Sequence, residues 1–213
     1  MNKIGLLGGS FNPAHRGHRQ ISLFAAKALG LDEIWWLVSP GNPLKEGSDM
    51  APLAVRFRSA KAAARGLPVR VTAIEQRLGT RYTVDTLAAL RRHFPGRHFI
   101  WLMGADNLAQ FHYWKDWRKI ATAVPIAVVA RPGYDGAAHK APAMGWLRRF
   151  VRRPGQARHW TDWRPPAFVL LSLPPDPTSA TGLRAADPNW HQLFDNSFNH
   201  TALRDGVTRR PLS

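Results

Sequence analysis

Short apolar runs alternate along this chain with stretches in which apolar residues recur every three or four positions. The runs Ile4–Leu7, Ile34–Val38, Val69–Ile74, His98–Met103, Ile126–Ala130 and Phe168–Leu171 have the length and composition of buried strands. The periodic stretches predict helices over Arg16–Leu29, Pro52–Arg65, Val84–Phe94 and Trp117–Ala123. In the first of these, Ile21, Phe24, Ala25 and Ala28 share one face. Pro52 suits a first helical turn, and Gly30 and Gly66 suit C-terminal caps. Strands alternating with helices predict an α/β fold with a doubly wound parallel sheet. Such sheets bind ligands outside the carboxyl ends of their strands.

Two stretches depart from this rhythm. Residues 135–166 mix Gly, Pro, Arg and Trp, with only a short helical pattern near Met144–Val151. They read as an irregular basic excursion from one domain spanning residues 1–186, not as a second domain. Residues 187–213 are irregular and their role is not evident. A chain of 213 residues is long enough to bury a substantial core.

The formal charge of +16 allows nucleic-acid binding or attraction of polyphosphates. Between Lys140 and Arg164 lie Arg148, Arg149, Arg152, Arg153 and Arg158, against the single acid Asp162. No nucleic-acid motif accompanies them, so a solvated basic face is the plainer reading. The chain has no cysteine, which excludes disulfides and thiolate metal sites. No apolar run reaches the ~18 residues of a membrane span, and Ile4–Leu7 is too short for the apolar part of a signal peptide. A cytoplasmic location is expected, with no membrane partner.

The densest chemistry lies in Gly8-Gly9-Ser10-Phe11-Asn12-Pro13-Ala14-His15-Arg16-Gly17-His18, between the first strand and the first helix. Paired glycines let backbone N–H groups approach an anion, and a helix start adds free donors. His15 and His18, three apart, project to one side if the first turn begins there. Two imidazoles beside a phosphate-binding turn suit charge developing on a phosphoryl group.

This string resembles the His-x-Gly-His signature of the nucleotidyltransferase superfamily. Four further segments are similar to those of bacterial nicotinate-nucleotide adenylyltransferases: Arg81–Leu87, Gly104–Leu108, Phe111–Trp114 and Val128–Tyr134. Thr178–Arg184 resembles the family's late Ser-x-Thr-x-x-Arg motif, with Ala180 where many relatives have a second serine. After Arg184 the family's helix and apolar-aromatic tail are not evident. The resemblance implies a Rossmann-like fold of nucleotidyltransferase type. It implies a reaction in which the phosphate of nicotinate mononucleotide attacks the α-phosphorus of ATP. The products are the dinucleotide and pyrophosphate, a step in NAD biosynthesis.

It also implies roles. His15, His18, Lys45 and Arg184 would act on the reacting phosphates. Gly8, Gly9, Ser10, Phe11, Ser179 and Thr181 would line the triphosphate, and Gly104 and Asp106 the adenosine. Asp106 also suits a helix N-cap. Arg56 and Arg58 are weaker phosphate candidates. Trp114 would stack on the pyridine ring, while Tyr82, Thr83, Val84 and Lys115 would hold its carboxylate. Mg²⁺ would be bound mainly through ATP phosphates. No dedicated metal site is expected. A related enzyme acting on nicotinamide mononucleotide or phosphopantetheine, or less readily a nucleic-acid-binding protein, is the alternative.

Overall fold

The computed structural model describes residues 2–41, 50–130, 140–173, 180–195 and 203–212. Seven parallel strands form one sheet: β1 (Asn2–Gly9), β2 (Glu33–Val38), β3 (Val69–Thr72), β4 (Arg97–Gly104), β5 (Ile126–Ala130), β6 (Val151–Arg152) and β7 (Phe168–Ser172). Their order is β3-β2-β1-β4-β5-β7-β6. The chain winds outwards from β1 in one direction and from β4 in the other. The crevice between these two strands is therefore the switch point where a ligand finds room.

The strands are apolar on both faces because both faces are covered. Ile4, Leu6, Trp35, Phe99, Trp101 and Val128 pack on one side with Leu87 and Leu90 of helix α4 (Thr83–His93). Leu108 of α5 (Ala105–Gln110) and Ile120 of α6 (Trp117–Ala123) join that face. Leu7, Trp36, Ile100 and Val129 pack on the other side, with Ala25 and Leu29 of α1 (Arg16–Leu29) and Phe57 and Ala60 of α2 (Leu53–Ala63). The doubly wound α/β architecture expected from the alternation is the one found.

Local expectations fare unevenly. Gly30 caps α1 in the left-handed region, at φ 62°. Pro52 is the N-cap of α2, one residue outside the helix, and Ala64, not Gly66, is its C-cap. The run Val69–Ile74 is a strand only to Thr72, since Ile74 opens α3 (Ile74–Leu78). The cause is long-range. The Asp205 carboxylate accepts from Thr72 Oγ1 and from the Ala73 N–H, both at 2.8 Å, and turns the chain there. The Gly206 N–H bonds the Val71 carbonyl at 2.8 Å, where a Cβ on Gly206 would stand 2.6 Å from the same oxygen. Residues 203–212 thus pack along the β3 edge.

The basic excursion is more ordered than its composition suggests. It holds a short helix, Met144–Leu147, the two-residue edge strand β6 and a 3₁₀ run, Pro154–Asp162. Met144 and Leu147 join one core, and Ala157 and Trp160 the other. Trp160 Nε1 donates to the Leu29 carbonyl at 3.0 Å, clamping the excursion to the end of α1.

Candidate active site

The turn after β1 is held by a reciprocal cap at the start of α1. His15 is the N-cap residue, and its Nδ1 accepts from the Gly17 N–H at 3.1 Å. His18 Nδ1 in turn accepts from the His15 N–H at 3.2 Å. Imidazoles here take the places that a hydroxyl and a carboxylate hold in an ordinary capping box. Each neutral ring accepting at Nδ1 carries its proton on Nε2. The rings lie 3.9 Å apart. His18 packs on Phe11 at 4.7 Å and on Trp36 at 5.9 Å. Burial, and then the neighbouring His15, push the His18 pKa down from 6.5 to about 3. His18 is thus neutral in the free protein.

Arg56 holds this turn from below. Its side chain is 1% exposed. It donates from Nε to the Ala51 carbonyl at 2.8 Å and from one terminal nitrogen to the Ser10 and Ser39 carbonyls at 2.7 and 2.8 Å. The other nitrogen reaches the Pro40 carbonyl at 3.3 Å. Burial lowers its pKa to about 10, which leaves it charged at neutral pH. Arg56 therefore braces the backbone of the β1 and β2 turns. Arg58 is also engaged elsewhere, on the Phe194 carbonyl at 3.2 Å. Arg56 is thus committed to carbonyls rather than left for the phosphate role considered from sequence. Asn12 and Ser59 complete the brace, accepting from the Ala51 and Ala14 N–H groups. No local pattern marks these partners, because all the bracing contacts but the one from Arg56 to Ala51 join residues 16 to 46 positions apart.

The late motif returns to the same turn. Arg184, on the short helix Ala180–Ala186, donates to the Asn12 carbonyl at 2.6 Å. Thr181 Oγ1 lies 3.5 Å from the same guanidinium. Lys45 and Ser179 lie outside the described residues, as does the end of the Val128–Tyr134 segment.

Gly8 and Gly104 end neighbouring strands but have different surroundings. A Cβ on Gly8 would stand 2.7 Å from Trp101 Cη2, so an indole already fills that space. Gly9 has only the Phe11 ring near, at 3.4 Å. A Cβ on Gly104 would stand 2.4 Å from Asp106 Oδ1. Gly104 itself is the N-cap of α5, and the exposed Asp106 sits in the first turn. The N-cap role considered for Asp106 is thus not the one found.

A second cluster forms beside Trp101. Trp114 meets Trp101 edge-on at 6.2 Å and Phe111 at 5.5 Å. Lys115 Nζ lies 4.6 Å from the centre of the Tyr82 ring and 3.1 Å from Asp85 Oδ2. Tyr82 is the extended N-cap of α4, and Thr83 is its first residue. The structure therefore brings Tyr82, Thr83 and Val84 next to the Trp114–Lys115 turn. Trp101 links this cluster to the end of β1. Trp101 Nε1 is buried without a hydrogen-bond partner among the described residues.

Behind Tyr82 stands a polar group that sequence reasoning missed. Glu75 Oε1 lies 3.0 Å from Thr86 Oγ1, which is 2.9 Å from Thr80 Oγ1 and 3.2 Å from the Tyr82 carbonyl. Burial raises the Glu75 pKa to about 7, against a smaller opposing effect of the Thr86 hydroxyl.

Several of the basic residues gather at the β3 edge of the sheet. A cavity of about 970 Å³ between α2, β3 and residues 203–209 is lined by Arg58, Lys61, Arg65, Arg70, Arg204 and Arg209. Among the described residues, no helix is long and apolar enough to cross a membrane, and no three His, Asp or Glu side chains gather as a metal site.

Comparison with known proteins agrees with this arrangement. The cytidylyltransferase-like family model matches residues 6–186. A probable nicotinate-nucleotide adenylyltransferase from Erythrobacter litoralis is 57% identical over 210 residues, covering 99% of this chain and 94% of the relative. One from Bradyrhizobium sp. strain ORS 278 is 48% identical, covering 88% of this chain and 98% of the relative. Among solved structures, the nicotinic acid mononucleotide adenylyltransferase of Plasmodium falciparum complexed with NaAD has the same fold. Its TM-score is 0.63 at 15% identity, with 87% of this chain and 83% of that one covered. With a family match over most of its length and relatives of this identity, the chain belongs to the nicotinate-nucleotide adenylyltransferases.

Proposed function

We propose that the protein transfers the adenylyl group of ATP to nicotinate mononucleotide, in NAD biosynthesis. A phosphate oxygen of the mononucleotide attacks the α-phosphorus. A new P–O bond forms, the bond between the α-phosphorus and its bridging oxygen breaks, and pyrophosphate leaves. The nucleophile is already an anion, so no activated side chain is required. Positioning and charge stabilisation carry the rate. The reading rests above all on the His15–His18 cap at the β1/β4 crevice, with Arg184 on the same turn.

In this reading His15 and His18 donate to the phosphate oxygens as charge moves onto them. Neutral donors suffice at the start, and a bound polyanion favours the protonated rings. The backbone at Gly9, Ser10 and Phe11 receives the triphosphate, together with Arg184, Thr181, Ser179 and Lys45. Gly8 acts by admitting Trp101, which aligns the strand end. Gly104 and Asp106 take the adenosine. Trp114 stacks on the pyridine ring, and Tyr82, Thr83, Val84 and Lys115 bound its carboxylate.

A Mg²⁺ ion would be carried mainly on the ATP phosphates and water. Such an ion offsets phosphate charge. A cytoplasmic location belongs to the same reading. The test is direct. The protein is incubated with ATP, Mg²⁺ and either nicotinate or nicotinamide mononucleotide, and the products are identified. Nicotinate adenine dinucleotide and pyrophosphate are expected. Absence of both from every incubation would overturn adenylyl transfer.

A further inference from the structure

We propose that Glu75 is a positioning residue for the mononucleotide's carboxylate, acting through Thr86 and Thr80 on the turn that carries Tyr82 and Thr83. The inference rests on the reading that this turn receives the carboxylate.

Among the described residues, the Glu75 side chain bonds Thr86, which is not itself assigned to a substrate. It is 7% exposed, and no cation pairs with it among the described residues. An unpaired buried carboxyl costs stability, and an apolar side chain filling the same space would avoid that cost. What Glu75 does instead is organise Thr86. That hydroxyl has one proton and three acceptors within reach: Glu75 Oε1, Thr80 Oγ1 and the Tyr82 carbonyl. The state of Glu75 decides where the proton points. An ionised carboxylate takes it. A protonated carboxyl donates to Thr86 and releases the Thr86 proton towards the Tyr82 carbonyl or Thr80.

Both ends of the turn are tied to this centre. The Thr80 N–H bonds the Glu75 carbonyl at 3.0 Å, and the Thr86 N–H bonds the Tyr82 carbonyl at 3.0 Å. Between them Arg81 is exposed and Tyr82 is 36% exposed, with Lys115 lying against the Tyr82 ring. Thr83 then begins α4, where backbone N–H groups lack helical partners. A shift of the Tyr82 carbonyl redirects those donors. Binding of a planar carboxylate is sensitive to such a shift, while ATP contacts made from β1 and Arg184 are not.

The experiment compares wild type with Glu75→Ala, Glu75→Gln, Thr86→Val and Thr80→Val. KM for each mononucleotide, KM for ATP and the melting temperature are measured. Glu75→Ala is expected to raise KM for nicotinate mononucleotide by about fivefold or more, the scale of a lost buried hydrogen bond, and to narrow the preference for acid over amide. KM for ATP stays within about twofold. Glu75→Gln keeps a neutral donor to Thr86 and restores most of the loss. The Glu75→Ala, Thr86→Val double variant is no worse than either single one, because both break one relay.

If Glu75→Ala does not fold, Thr80→Val decides, since it removes only the partly exposed end of the relay. An unchanged KM for the acid in folded Thr80→Val, or equal changes for ATP and mononucleotide in any variant, overturns the proposal. Failure of the underlying reading looks different, because wild type itself would then prefer the amide or form no dinucleotide.

Discussion

Arg56 donates to the Ser10 carbonyl at 2.7 Å, and this contact, with the one Ser59 Oγ accepts from the Ala14 N–H at 3.2 Å, ties helix α2 to the turn on which the candidate chemistry depends. The guanidinium is buried without a carboxylate partner among the described residues and is instead surrounded by four carbonyls. Its planar fork reaches them all from one side chain.

Replacing Arg56 should therefore harm both fold and substrate use. Arg56→Met deprives four partly buried carbonyls of this donor and is expected to destabilise by roughly 3 kcal/mol or more. For a chain of this size that lowers the melting temperature by roughly 6–12 °C. Arg56→Lys keeps the charge but not the fork, and is expected to fall between the two while raising KM for ATP. Thermal unfolding with parallel kinetics checks this. Wild-type stability in Arg56→Met would remove the bracing role.

His15→Ala and His18→Ala are each expected to cut turnover at saturating ATP by about tenfold or more. Both also remove half of the reciprocal cap, at a cost of about 1 kcal/mol of stability. Asparagine at either position keeps a side-chain acceptor for the cap and separates the two effects. Melting temperature should recover in the asparagine variants while turnover stays low. Full turnover in both alanine variants would sink the mechanism.

His18 and Glu75 set opposite pH limbs. His18 has its folded pKa lowered from 6.5 to about 3, so its contribution is fully present above 6.5 and is lost as pH falls from 6.5 through 3. Glu75 has its folded pKa raised from 4.5 to about 7, so its contribution is present below 4.5 and is lost as pH rises through 7. Stability is expected to fall on both sides of mildly acid pH. His18→Asn should flatten the acid limb, and Glu75→Gln the limb between 4.5 and 7. Melting temperature against pH for the three proteins checks both. In the free protein the His18 ring signals in an NMR titration should stay constant from pH 5 to 9, and a midpoint near 6.5 would contradict the neutral cap.

Arg184 is expected to act as both tie and ligand. One terminal nitrogen holds the Asn12 carbonyl, and the guanidinium plane brings further donors to the turn. Arg184→Lys should weaken ATP use by roughly 1–2 kcal/mol, with little effect on KM for the mononucleotide. Steady-state kinetics in both substrates distinguish the cases, and ATP kinetics equal to wild type would take Arg184 out of the site.

Where the chain's own periodicity carries the signal, the sequence is a good guide. The range of α6, the Gly30 cap and the six longer strands follow from apolar runs and from glycine's access to positive φ. The errors share a cause. Ile74 reads as strand because nothing nearby shows that Asp205, over 130 residues later, terminates β3. Nothing near Gly8 in sequence shows that Trp101 of the neighbouring strand occupies the side a Cβ would fill. Trp160 and β6 sit among Gly, Pro and Arg with no period to mark them. The site divides in the same way. His15 and His18 stand out through one local string, whereas Arg56 acts mainly on carbonyls 16 to 46 residues away and Glu75 on Thr86, 11 residues on, and both look ordinary in sequence.

Substrate choice gives the last test. Nicotinate and nicotinamide mononucleotides differ by a carboxylate against an amide. Backbone N–H donors at the start of α4, with Lys115 drawn in by Asp85 and the Tyr82 ring, suit a group that only accepts. An amide turns one donor towards another and leaves a buried group unpaired, at a cost of about 1–3 kcal/mol. The acid is therefore expected to be preferred by at least about tenfold in kcat/KM. Trp114 contributes stacking that both rings share, so Trp114→Ala should weaken both mononucleotides alike, and Trp114→Phe should weaken them less. It should leave the acid-to-amide ratio close to wild type. The Thr83 side chain should matter little if main-chain donors carry the discrimination, and Thr83→Ala checks this. Parallel kinetics with the two mononucleotides decide the matter. Equal efficiency in wild type would refute a carboxylate-specific pocket while leaving adenylyl transfer intact.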